Sequence, residues 1–251
     1  MTLFAAPFAA LRAAVAPARL PTMIDVAGRN VPLIVERRAS ARGVRLRADA
    51  VQGVIRLSLP ARGGTAAAAQ LLGDHRGWLD AQVSRWPRPQ PFVAGATIRF
   101  DGGDLIIDWA AGHPRAPQHI GDRLVIGGPP ALLAARTRRW LQAAALAALA
   151  PATHAVAASI ARPVTQVRIG DPRGRWGSCT SSHGRIAYSW RLILVPPHVR
   201  ANVVAHEVAH LVHANHGREF HALLDRLNPN TRSARAWLKV HGPGLHWVGR
   251  E

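Results

Sequence analysis

Residues 204–220 constrain this chain more than any other stretch, because they set two histidines four positions apart with a glutamate directly after the first: His206, Glu207 and His210. In an α-helix, positions i and i+4 lie about 40° apart on one face and one turn apart, so both imidazoles can converge on a single ion. Tetrahedral zinc takes nitrogen ligands at roughly 2.0–2.1 Å and, when catalytic, three protein ligands with one position open. Glu207, next to the first ligand, suits a general base acting on zinc-bound water. The chain must therefore build a helix that is buried on one side and faces a cleft on the other. Pro197 opens such a helix, and Val199, Val203, Val204, Val208 and Leu211 supply its apolar side.

A third ligand has four candidates. His213 continues the helical face but lies seven residues beyond His206, about 10.5 Å along a straight axis. His216 would point about 240° away from His210 if the helix continued, so it serves only if the helix ends first, and Asn215 and Gly217 mark a place for such a break. Glu219 could ligate as a carboxylate from the next helix or orient a ligand instead. His221, one turn after Gly217, is the fourth. Spacing favours His216 without settling the choice. Beyond it, Phe220, Leu223, Leu224 and Leu227 have the i, i+3, i+4, i+7 spacing of ordinary core packing.

Upstream the pattern is mixed. Runs 32–36, 44–47 and 54–59 alternate like strands of a small antiparallel sheet with one solvated side. Thr65 caps a helix predicted to about Trp86, ended by the proline-rich run 87–91. Runs 97–100, 104–109 and 123–126 read as further strands, the first two joined by a hairpin at Asp101-Gly102-Gly103. The alanine-rich run 131–150 is strongly helical, and Pro151 either kinks it or opens a second helix to about residue 161. Two strand-like runs, 164–169 and 185–195, flank a turn-rich segment containing Arg175, Trp176, Gly177, Ser178 and Cys179. No internal repeat is visible. The expected fold is α+β, with a zincin-like (minimal gluzincin-type) helical catalytic core and short sheet at 129–251, a β-rich N-terminal portion at 29–128, and a disordered extension at 1–28.

The net charge of +18 comes from 32 basic and 14 acidic residues, with 16 basic against 9 acidic in 1–128 and 16 against 5 in 129–251. An excess spread so evenly favours polyanionic partners such as nucleic acid or nucleotides, although the near-exclusive use of arginine beside abundant alanine also fits a compositional bias. The single cysteine, Cys179, excludes an intrachain disulfide framework and points to a reducing, cytoplasmic setting. The first 22 residues lack the basic start of a secretory signal, and the longest alanine/leucine run, 141–150, falls short of the roughly 20 residues of a bilayer crossing. No membrane segment is expected.

Together, His206-Glu207-Val208-Ala209-His210, His216 with Phe220 four residues later, the Arg175–Cys179 run and Tyr188-Ser189-Trp190-Arg191-Leu192-Ile193-Leu194 resemble the YgjP-type metallopeptidase-like family, related to the SprT/Spartan zinc proteases. The resemblance is closest over about residues 164–228 and extends to the strand-rich portion from about residue 31. It implies zinc held by His206, His210 and His216, with Glu207 as base, in an enzyme that hydrolyses peptide bonds of a peptide or protein substrate. A peptide would then lie along the edge of the strand around 186–195. Two other readings stand beside it: a metal-dependent nucleotide phosphohydrolase of the nucleoside triphosphate pyrophosphatase type, and a non-catalytic nucleic-acid-binding module whose structural zinc would need Cys179 as fourth ligand. Tyr188 is a candidate donor to a tetrahedral intermediate, and Arg185 and Arg191 are candidate anion holders, against core and solvated roles respectively.

Overall fold

A computed structural model describes residues 19–250, which form two compact units, the first ending at Trp86 and the second beginning at Pro87. The first contains β1 (Met23–Val26), β2 (Arg29–Arg38), β3 (Arg45–Asp49), β4 (Val54–Pro60), α1 (Thr65–Asp74) and α2 (Arg76–Ser84). Its sheet runs β1-β2-β4-β3. The strands 32–36, 44–47 and 54–59 fall where alternation places them, but β2 and β4 pair parallel, so the sheet is mixed. Alternation reports which face is buried, here Val31 and Leu33 against Ile55, Leu57 and Leu59, and carries no information on strand direction. Part of the segment expected as a disordered extension is a strand: β1 pairs antiparallel with β2 through a two-residue turn in which Ala27 and Gly28 both have positive φ (51° and 69°). Residues 1–18 of that expected extension lie outside the described residues. The predicted single helix 65–86 is two, broken at His75, and its N-cap is Gly64 rather than Thr65.

The second unit opens with β5 (Thr97–Phe100), β6 (Gly103–Trp109), β7 (Gln118–Ile120) and β8 (Arg123–Ile126), in the order β5-β6-β8-β7. Its connectivity duplicates that of the first sheet: a two-residue hairpin, then a parallel pairing of the second strand with the fourth, which also pairs antiparallel with the third. Asp101 and Gly102 turn the hairpin with φ of 48° and 88°, as Ala27 and Gly28 do in the first. The repeat is one of topology alone. Gly127–Pro130 marks a change from sheet to helix within one unit, since Ile98, Leu105, Ile107, Leu124 and Ile126 share a core cluster with Leu133, Leu141 and Leu149 of the helix that follows.

That helix, α3 (Leu133–Ala158), runs unbroken through Pro151. Every fourth residue from Leu133 to Ala157 is buried, a stripe that packs against the centre of the unit. By length and composition the segment 130–158 would also suffice to cross a membrane, a property it shares with core helices of this kind. Next come β9 (Gln166–Gly170), β10 (Gly177–Thr180) and β11 (Arg185–Ser189), in the order β10-β11-β9. The long strand expected at 185–195 ends at Ser189. Residues 190–193 form a 3-10 turn, for which Ser189 accepts a hydrogen bond from the Arg191 amide. This strand is central, paired on both sides, so it offers no free edge to a peptide; β10 and β9 are the edges. Helices α4 (Pro197–Ala209), α5 (Arg218–Leu227) and α6 (Thr231–Leu245) complete the unit.

Candidate metal centre and active site

Helix α4 carries the site. Pro197 occupies its first turn, where a missing amide costs nothing, and Val199, Val203, Val204 and Val208 are buried beneath it. The helix ends one turn earlier than the sequence suggests, with His210 as its C-cap. Neither Asn215 nor Gly217 supplies a left-handed break, for no residue from 210 to 217 has positive φ and Gly217 is an extended N-cap to α5. Instead, the turn closes on His210: its Nδ1 lies 3.0 Å from the carbonyl oxygen of His213, which can only accept, so Nδ1 bears the proton and Nε2 is left free as a lone-pair donor.

The loop then brings His216 back over the helix. Among the described residues, His206, His210 and His216 form a group whose ligand atoms all lie within 4.8 Å of one another. Nε2 of His206 and Nε2 of His216 are 3.2 Å apart. Two ligands of one tetrahedral zinc with bonds of roughly 2.0–2.1 Å sit about 3.3 Å apart, so this pair already has the spacing the ion requires. Burial pushes the His206 imidazolium down to a pKa of about 4, with His210 and His216 adding to the effect. His216 is shifted the same way, first by burial and then by His210. His206 is thus neutral at ordinary pH, the form that ligates a cation, and His216 is shifted toward that form.

Phe220 is the floor of this triad. Fully buried, it places its ring centroid 5.0, 4.6 and 4.7 Å from those of His206, His210 and His216. Its helical spacing disguised it as ordinary core. The other candidates for third ligand lie elsewhere: the His213 ring faces Glu219 at 3.7 Å, Glu219 is largely exposed, and the His221 ring is 6.5 Å from that of His216. His213 contributes its backbone, and Glu219 pairs with His213 rather than with a ligand.

Glu207 is 5% exposed, and burial raises its carboxyl pKa to about 7 against the opposing charge of Arg175. A group with that value can both take and return a proton near neutrality. What sets its position is β10. A methyl at Gly177 would lie 2.5 Å from Oε1 of Glu207 and 2.6 Å from its Cγ, so only glycine lets the strand press against the carboxylate. The preceding segment is clamped from three sides. The Trp176 carbonyl accepts the Ser189 amide at 2.8 Å, and its indole packs on His246 with centroids 5.2 Å apart. Buried Arg191 is ion-paired to Asp171, donates Nε–H to the Leu245 carbonyl at 2.9 Å, and stacks on Trp190.

The Arg175–Cys179 run therefore has a structural account that its letters did not provide, and Arg191 is a structural clamp rather than an anion holder. Cys179 is outside the donor group, and burial followed by the Glu207 charge raises its thiol to about 11, which keeps it protonated and inert. Tyr188 is 1% exposed with its hydroxyl 3.0 Å from that of Thr153, a core residue with no access to a substrate.

A family model described as the YgjP-like metallopeptidase domain matches residues 42–241. The chain belongs to this YgjP-like metallopeptidase family. The matched region runs from the first unit into α6 and so includes the triad, Glu207, Gly177 and Arg191. Searches of curated proteins and of solved structures returned no match. Membership makes the chain a metallopeptidase-type hydrolase in general terms, and the three histidines converging on α4 are a group that could hold a metal ion.

Proposed function

We propose that this chain is a zinc-dependent peptidase with a zincin-like core, in which His206, His210 and His216 hold the ion and Glu207 is the general base. The observation that carries the reading is the convergence of three imidazoles, two of them with ring nitrogens 3.2 Å apart, next to a carboxyl whose pKa burial raises to about 7. A zinc ion held there would supply Lewis acidity toward the attacking water and the scissile carbonyl. Glu207 takes the proton from that water on a carboxylate oxygen and delivers it to the leaving amine, a double role that its value near neutrality suits. Gly177 keeps the carboxylate in place, and Phe220 excludes water from beneath the imidazoles. His216 is exposed, which leaves that side of the triad accessible to substrate.

An extended peptide fits best along β10, an edge strand whose first residue already touches Glu207. Main-chain hydrogen bonds would give affinity there with little demand on side-chain identity. Among the described residues no fourth donor joins the three histidines, Cys179 included, which speaks against a closed structural zinc site. The test is cleavage of an unfolded protein by wild type and Glu207→Gln, with zinc content and phosphate release from nucleoside triphosphates measured in parallel. Peptide cleavage lost in the variant with zinc retained supports the proposal. Nucleotide hydrolysis that disappears with Glu207 while the protein substrate stays intact would overturn it.

A further inference from the structure

The second unit holds another built pocket, remote in sequence from the metal ligands. A cavity of about 330 Å³ is lined by Arg115, Pro117, Arg136, Arg139, Trp140 and Ala143. Four of these come from α3 at positions i, i+3, i+4 and i+7, so they form one helical face beside the buried stripe. The other two come from the segment leading into β7. No carboxylate lines the cavity, and among the described residues neither Arg115 nor Arg139 has an ion pair, while Arg136 is anchored to the Gly127 carbonyl. Trp140 is held from behind: Phe100 packs against its ring at 5.0 Å and His119 meets it edge-on at 5.8 Å. The result is a fixed, partly exposed indole with two exposed guanidiniums around it.

This combination has a specific chemical complement. A flat aromatic group stacks on the indole, and an anion next to it is met by the arginines. A phosphate ion uses only the second half of the site, and base-paired duplex hides the faces that the first half would bind. One nucleotide of a single strand supplies both, and its volume suits a cavity of this size. The chain's excess of positive charge, +18, would draw in the neighbouring phosphates. We propose that the Trp140 pocket is a binding site for single-stranded nucleic acid, with a base stacked on Trp140 and the adjoining phosphates on Arg115 and Arg139. The site is independent of the peptidase reading and of the metal.

Fluorescence anisotropy with a labelled twelve-nucleotide oligothymidylate tests it on the full chain. Stacking of one base accounts for about a tenfold or larger change in affinity, so Trp140→Leu, which keeps an apolar partner for Phe100, should weaken binding by about that factor. Arg115→Ala with Arg139→Ala changes only exposed side chains. It should weaken binding at low salt and flatten the slope of log affinity against log salt. The same loss of charge at Arg42 and Arg45, in the first unit, serves as the control and should cost much less. Competition by AMP at the oligonucleotide's own affinity would reassign the pocket to free nucleotides and overturn the strand assignment. Equal competition by duplex, or equal losses at the control arginines, would overturn the stacked geometry. Unaltered zinc content and melting temperature in each variant establish that the fold is intact.

Discussion

The sharpest prediction concerns Gly177. A methyl group at this position would lie 2.5 Å from Oε1, 2.6 Å from Cγ and 2.7 Å from Cδ of Glu207, where ordinary van der Waals contact begins near 3.4 Å. Gly177→Ala must therefore move the carboxylate or the strand by roughly 1 Å, and the carboxylate is buried with little room to retreat. A displacement of about 1 Å in a catalytic group costs on the order of 100-fold in rate, equivalent to about 2.7 kcal/mol of transition-state stabilisation. Overpacking adds a folding cost of about 1–3 kcal/mol, or several degrees in Tm for a unit of this size. The metal ligands are untouched, so zinc stoichiometry should equal that of wild type. The assay pairs kcat/KM on an unfolded protein substrate with metal analysis and a thermal melt, and Ser178→Ala on the next residue is the near-neutral control. Full activity in Gly177→Ala would refute the claim that this contact positions the base. Activity lost together with the metal would show that the damage lies in the fold.

Three further outcomes are expected. His216→Ala should lose zinc, whereas His213→Ala should keep it, because the part of His213 that serves His210 is its backbone carbonyl and its exposed pairing with Glu219 is worth little; metal content of both variants decides the point. His246 has its pKa lowered to about 4 by burial, with Arg191, Arg250 and Arg173 adding to the effect and Asp171 opposing it. The unfolded chain thus binds the proton first, so the stability this neutral ring contributes is complete above about pH 6.5 and is lost as pH falls toward 4, by about 2 kcal/mol at pH 5. Urea titrations of wild type and His246→Phe at pH 7.5 and pH 5 should differ by that amount, and identical acid losses would sink the assignment. Phe220→Ala removes the ring beneath three imidazoles and should cost about 3–5 kcal/mol of stability, with weaker zinc retention during chelator challenge; a variant as stable as wild type would show that the floor is dispensable.

The sequence by itself determined which residues are the candidates for this protein's chemistry. His206, Glu207 and His210 are local: their spacing on one helix follows from 3.6 residues per turn, and no distant contact is needed to bring them together. The strands were legible for the same reason, since an alternation of period two is written in neighbouring residues. Everything that joins separate segments was decided by the tertiary structure. The parallel pairing of β2 with β4, the duplicated sheet topology and the edge position of β10 depend on which strand meets which, a choice that alternation does not encode. His216 could be favoured over its neighbours from spacing, and the helix does end before it, but the turn is closed on the His213 carbonyl rather than at Asn215 or Gly217. Gly177 and Trp176 stood out as letters without a role, and Arg191 only as a candidate anion holder, because their partners are 30, 70 and 54 residues away in Glu207, His246 and Leu245. A motif names a metal and a base from local geometry; the groups that hold that base to within an ångström come from across the fold.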